Sequence, residues 1–161
     1  MGIIVINSYA FGAAAVAAPT GTVIEDDDGT DNSITINSDT NFGFGMSSIS
    51  AGTDQDIATG STIMFAGGAT PTITIKAYGN STGGGTVATH SWALTDTTSG
   101  GATFGVNLNN ASGSSQNYTN GEIEITSSSS SNQGRFNVAY TASNSGGSDA
   151  ATGVGFNIRI M

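Results

Sequence analysis

The chain has 161 residues, half of them Gly, Thr, Ser or Asn, and only 9% are charged. Twelve acidic residues against three basic ones (Lys76, Arg135 and Arg159) give a net charge of -9, which repels a phosphate backbone and excludes nucleic-acid binding. Cysteine is absent and His90 is the single histidine, which excludes disulfides, thiolate nucleophiles and Cys/His zinc centres. Lys, Glu, Gln, Arg and Leu are scarce, so helix is disfavoured and an all-β chain is expected.

A first strand is expected over 3–11, with Ile3, Ile4, Val5 and Ile6 as its apolar core. No Lys or Arg precedes this run, and Asn7, Ser8 and Tyr9 interrupt it. It therefore lacks the form of a cleaved signal peptide and is too broken to span a bilayer. Residues 12–21 read as an Ala-rich extended linker. Val23 and Ile24 then lead into an acidic turn over 25–31, and Ile34 and Ile36 mark the next strand. Residues 41–46 alternate Phe and Gly, and Asp54, Gln55 and Asp56 mark a boundary. This divides the chain into an arm region with the acidic turn, 1–55, and a sandwich domain, 56–161.

From residue 61 the pattern becomes regular. Strands are expected over 62–66, 72–78, 86–94, 102–108, 122–126, 134–142 and 152–160, with Gly/Ser/Asn turns between them, including 79–85 and the serine run 127–131. Seven strands in about 100 residues is the spacing of a β-sandwich.

Trp92 sits mid-strand where an immunoglobulin-like domain puts its strand-C tryptophan, residues 132–138 resemble the E–F corner and strand F, and residues 139–149 are similar to the F–G hairpin of bacterial and phage immunoglobulin-like or PKD-like domains. Val138 and Ile75 stand where antibody domains carry cysteines, and Phe136 lacks the hydroxyl of a tyrosine corner, so the likeness is to the cysteine-free microbial domains. The opening over 2–11 resembles the abrupt first strand of small virion proteins of tailed phages.

The acidic turn is the best chemical candidate. Calcium takes six to eight hard oxygens in a tight turn, and Asp26, Asp28 and Asp31 around Gly29 offer carboxylates at such a spacing. The closing glutamate of an EF-hand is missing, and a solvated acidic turn between two strands is the competing reading. The glycine-rich 79–85 has no following Lys to hold a phosphate. His90 and Ser91 are neighbours on a strand and face opposite sides, which defeats a nucleophile–base pair. The sequons at Asn80, Asn110 and Asn117 are unremarkable in a chain this rich in Asn, Ser and Thr. The aromatics Tyr78, Trp92, Phe104, Tyr118, Phe136, Tyr140 and Phe156 suit a sandwich core better than a sugar-binding platform.

The resemblance implies an all-β, immunoglobulin-like sandwich with an N-terminal extended docking region. It also implies a non-enzymatic virion structural protein, made in the host cytoplasm, that acts as a capsid decoration (cement) protein. Ile3, Ile4, Val5 and Ile6 are the expected docking residues, because an apolar strand with an unpaired edge must pair or aggregate. Major capsid or other virion proteins and further copies of the chain are the expected partners. No cofactor is expected apart from the calcium weighed above. Two alternatives stay open: a carbohydrate-binding module of a tail fibre or tail tip that meets a cell-surface glycan, and an extracellular filament subunit linked by donor strands.

Overall fold

A computed structural model of the chain describes residues 13–26, 28–38, 44–45, 54–65, 72–96, 104–111, 116–125 and 133–160. The expected strand over 3–11, with Ile3, Ile4, Val5 and Ile6, lies outside the described residues, as does most of 41–46. The described chain is all-β. Its strands are β1 (Pro19–Glu25), β2 (Ser33–Ser38), β3 (Phe44–Gly45), β4 (Asp54–Ala58), β5 (Thr62–Phe65), β6 (Thr72–Gly84), β7 (Thr89–Asp96), β8 (Phe104–Ala111), β9 (Gln116–Ile125), β10 (Gln133–Asn144), β11 (Gly147–Ala150) and β12 (Val154–Ile160).

These strands form two six-stranded sheets. The first has the order β4-β2-β6-β9-β8, with β1 also paired to β6; the second has the order β11-β10-β12-β5-β3, with β7 paired to β10. All pairings are antiparallel except β5 with β12. Alternation explains why the sheets stack. Along β6, Ile73, Ile75 and Ala77 are buried while Thr74, Lys76 and Tyr78 are half-buried on the other face. Along β10 and β12 the same period buries Phe136, Val138, Tyr140 and Ala142, and Val154, Phe156 and Ile158. With Ile24, Ile34, Ile36, Ile57, Ile63 and Trp92, these residues make one core between the sheets, a β-sandwich. Each buried isoleucine or aromatic contributes about 1.5–3 kcal/mol of transfer free energy before ordering costs.

The structure departs from the sequence expectations in the reach of several segments: β9 begins six residues before the expected 122–126, and β11 starts inside the expected turn 143–149. Residues 79–84, expected as a turn, continue β6, because β1 pairs with them from Pro19↔Gly84 to Glu25↔Tyr78. The last residues of the expected linker thus belong to a strand. The expected boundary at Asp54, Gln55 and Asp56 falls inside β4, which pairs with β2 and buries Ile57.

β1 and β2 lie in succession along one edge of β6. From Glu25↔Tyr78 to Thr35↔Lys76 the chain advances ten residues while β6 recedes by two. The surplus is thrown out of the sheet as a closed excursion, and this is where the acidic residues gather.

Candidate functional site

The excursion is organised by one carboxylate. Asp26 follows β1 and is only 3% exposed. Its Oδ1 accepts the backbone N–H groups of Asp28 (3.2 Å) and Thr30 (2.9 Å), and its Oδ2 accepts the Ser33 hydroxyl (2.7 Å). The Asn32 N–H donates to the carbonyl of Ile24 (2.7 Å), and Glu25 and Asp31 form a β-bridge that closes the neck. Asn32 adopts φ 59°, a left-handed conformation that Asn tolerates better than most residues.

The sequence groups Asp26, Asp28 and Asp31. The structure brings together Asp26, Asp28 and Asp56, whose carboxylate oxygens lie within 4.8 Å of one another, while Asp31 sits at the neck against Glu25. Asp56 comes from β4 and reaches the site through the Thr35↔Asp56 register of β2 with β4, where the Thr35 hydroxyl donates to it (3.3 Å). Asp28 accepts the Thr30 hydroxyl (2.7 Å).

Burial alone would raise the Asp26 pKa. The Ser33 hydroxyl and the amide hydrogens of Thr30 and Asp28 outweigh it and hold the carboxyl below the ordinary value of 3.8. Glu25 moves the other way. Burial raises it above 4.5, a hydrogen bond from Asn80 opposes the rise, and the charges of Asp31 and Asp26 add to it. Three converging carboxylates are hard-oxygen donors of the kind calcium takes. Asp26 already accepts three protein donors, so its first role is to hold the excursion shut.

The second candidate, His90, serves the core. Its Nδ1 lies 2.6 Å from the Tyr140 hydroxyl, and the rings are 5.9 Å apart. In the neutral imidazole with hydrogen on Nε2, the tyrosine O–H donates to Nδ1, and burial pushes the phenol pKa up, which keeps that proton in place. Ser91 is exposed on the opposite face. The strand places no hydroxyl nucleophile beside the imidazole. The glycine-rich end of β6 borders an open depression of about 270 Å³ lined by residues 80–87, which include amide and hydroxyl groups and no charged side chain.

The third candidate is the root of the N-terminal segment. Residues 16–18 lie against the turns that carry Gly85 and Gly146. The Asn144 side-chain amide donates to the carbonyls of Ala17 (2.8 Å) and Thr86 (3.1 Å), and Gly85 N–H donates to Ala18 (3.1 Å). A Cβ on Gly85 would overlap the Ala17 carbonyl oxygen, and one on Gly146 would overlap that of Val16. The glycines let two turns close on the segment, and Asn144 ties it to both. Val16, just before the tie, is 53% exposed. Composition flagged these glycines as turn formers; their use as a seat for another main chain has no local signature.

No family model, curated protein or solved structure matches the chain.

Proposed function

We propose that this chain is a non-enzymatic structural protein of a tailed-phage virion, a decoration protein that docks through its N-terminal segment and displays an immunoglobulin-like sandwich. The observation that carries the reading is the tie of Ala17 and Ala18 by Asn144 and Gly85 at one end of the sandwich. It gives the apolar run Ile3, Ile4, Val5 and Ile6 a fixed point of departure from a folded body. A strand apolar on both faces suits burial between two surfaces, and strand addition to a neighbouring subunit supplies them.

The immunoglobulin-like type is supported by strand order. β6-β9-β8 follow one another in the first sheet and β7-β10-β12 in the second, as B-E-D and C-F-G do in that fold, and Trp92 is buried on the strand in the C position. The structural reading is favoured over a sugar-binding one by where the aromatics lie. Of the five of these aromatics whose side chains are described, Trp92, Phe136, Tyr140 and Phe156 are buried in the core, and Tyr78 alone is half-buried on the outer face of β6.

The test is to purify intact particles from the producing cells and quantify the chain in them by mass spectrometry. A fixed copy number per particle, lost on treatments that strip outer proteins, is the expected result. Absence from the particles would overturn the reading.

A further inference from the structure

Among the described residues, six strands lie at sheet edges, and these edges are not equivalent. The outer edge of β1 is already in use. Pro19 has no N–H, Gly21 breaks the extended run at φ 64°, the Thr22 N–H donates to Asp149 (3.1 Å), and the Ile24 carbonyl accepts from Asn32 (2.7 Å). The same Asp149 ties the four-residue β11 to β1, and β3 has only two residues. β4 carries Asp54 and Asp56 within five residues, so a second copy laid there meets carboxylates. β7 and β8 remain. Each is eight residues long without Lys, Arg or Pro, and they flank β10 and β9 on one side of the sandwich.

The register of β7 on β10 fixes which of its main-chain groups face outward. The Tyr140 carbonyl accepts the Ala151 N–H (3.0 Å), so Tyr140 turns its main chain toward β11 and away from β7. The Ser143 carbonyl turns the other way and accepts the Ala88 N–H (2.9 Å), just before β7. Trp92 stands opposite Tyr140, and an antiparallel ladder alternates. His90, Trp92, Leu94 and Asp96 therefore point N–H and C=O to the edge, while Ser91, Ala93 and Thr95 point theirs to β10.

We infer that the chain forms a two-fold dimer in which β7 pairs antiparallel with β7 of a second copy about Ala93. This axis engages all the outward-facing residues at once: Trp92 with Leu94 of the second copy, and His90 with its Asp96. An axis at Trp92 would set His90 against Leu94 and carry Asp96 past the start of the strand. One at Leu94 would set Asp96 against Trp92 and carry His90 past its end.

The side chains fit the same axis. Ser91, Ala93 and Thr95 are exposed and small, so Ala93 can meet Ala93 at the close approach of about 4.5 Å between Cα atoms. His90 and Asp96 of opposite copies share a face, and an imidazole across from a carboxylate is complementary where like charges would repel. The axis is normal to the sheets, so it also brings β8 toward its own copy. The carboxylates of β4 stay on the far side, which matters for two chains that each carry -9. The contact uses no residue before Thr89 and is independent of the docking reading.

The chain has no cysteine, so single cysteines report the register. Ala93→Cys is oxidised and its products are identified by intact mass. The axis brings the two thiols within disulfide reach, and a disulfide-linked dimer is the expected product. Ser91→Cys and Thr95→Cys each lie about 13 Å from their own copies. Neither should cross-link alone, whereas the two mixed should cross-link to each other. The unaltered chain should sediment as a monomer–dimer equilibrium. Ala93→Lys should raise its dissociation constant roughly tenfold or more, with the melting curve of the monomer unchanged.

A monomer at all concentrations would overturn the inference, as would an Ala93→Cys disulfide no more abundant than that of Ser91→Cys. A dimer that Ala93→Lys leaves intact would place the contact at another edge and overturn it equally.

Discussion

The ring of Tyr140 lies flat on the main chain of Gly79, so close that a Cβ at residue 79 would stand inside the ring. Gly79 is in β6 and Tyr140 in β10, so this contact fixes the distance between the two sheets. Tyr140 is 1% exposed, its hydroxyl is held by His90, and Trp92 packs on it with ring centroids 4.6 Å apart, so the ring has nowhere to retreat. Gly79→Ala is expected to cost about 1–3 kcal/mol by overpacking, although Ala suits a strand better than Gly. Urea unfolding measures this; an unchanged or higher midpoint would show that the sheets do not meet there.

Trp92 fills the same region from β7. Trp92→Ala is expected to cost roughly 3–5 kcal/mol in the same measurement. Its Nε1 is buried without a hydrogen-bond partner among the described residues. Trp92→Phe therefore loses volume but no hydrogen bond seen among them, and should be the milder change. A loss below about 1 kcal/mol for Trp92→Ala would mean an exposed ring and would revive the sugar-binding alternative.

The acidic excursion predicts two opposite pH effects. Asp26 is more acidic in the fold than unfolded, so its contribution is full above the ordinary carboxylate value of 3.8 and is lost as pH falls through the lower folded value. Glu25 is less acidic in the fold, so it favours the fold at low pH, and that advantage disappears as pH rises through its raised value. Asp26→Asn should flatten the acid limb of a stability–pH curve. Glu25→Gln should raise the melting temperature at pH 7, less so in high salt. Asp26→Ala, which strips the acceptor from Ser33, Thr30 and Asp28, should cost roughly 1–3 kcal/mol at pH 7. Because protein donors already close the excursion, chelator should leave the melting curve in place. A melting temperature that rises with added calcium would assign Asp26, Asp28 and Asp56 to an ion.

The N-terminal root predicts a local effect without global loss. Asn144→Ala should speed amide exchange at Gly85, whose N–H donates to the Ala18 carbonyl, while β10 and β12 keep their protection. Gly146→Val should do the same by crowding the Val16 carbonyl. Exchange that rises equally through the core would place the root inside the cooperative unit of the sandwich.

What the sequence made legible follows from the range of the interaction. The period-two burial of Ile73 and Ile75, of Phe136 and Val138, and of Val154 and Phe156 is a local property, and those strands lie where alternation puts them. The burial of Trp92 was legible for the same reason. Asp56 in place of Asp31 was not, because it depends on the pairing of β2 with β4, which no local pattern encodes. The extension of β6 through 79–84 was hidden by its composition. Glycine marks a turn in isolation, whereas Gly85 and Gly146 here seat a second main chain, and only the folded molecule brings Val16 and Ala17 to them.

The most direct test of the docking account is cryo-electron microscopy of particles assembled with the unaltered chain and with Ile4→Asp, each checked beforehand for an unchanged melting curve. The account predicts a sandwich-sized density outside the shell, joined to it by a strand that continues from the Asn144 end, and its loss in the variant. Full occupancy with Ile4→Asp, or attachment through the acidic excursion while the Asn144 end points to solvent, would contradict it.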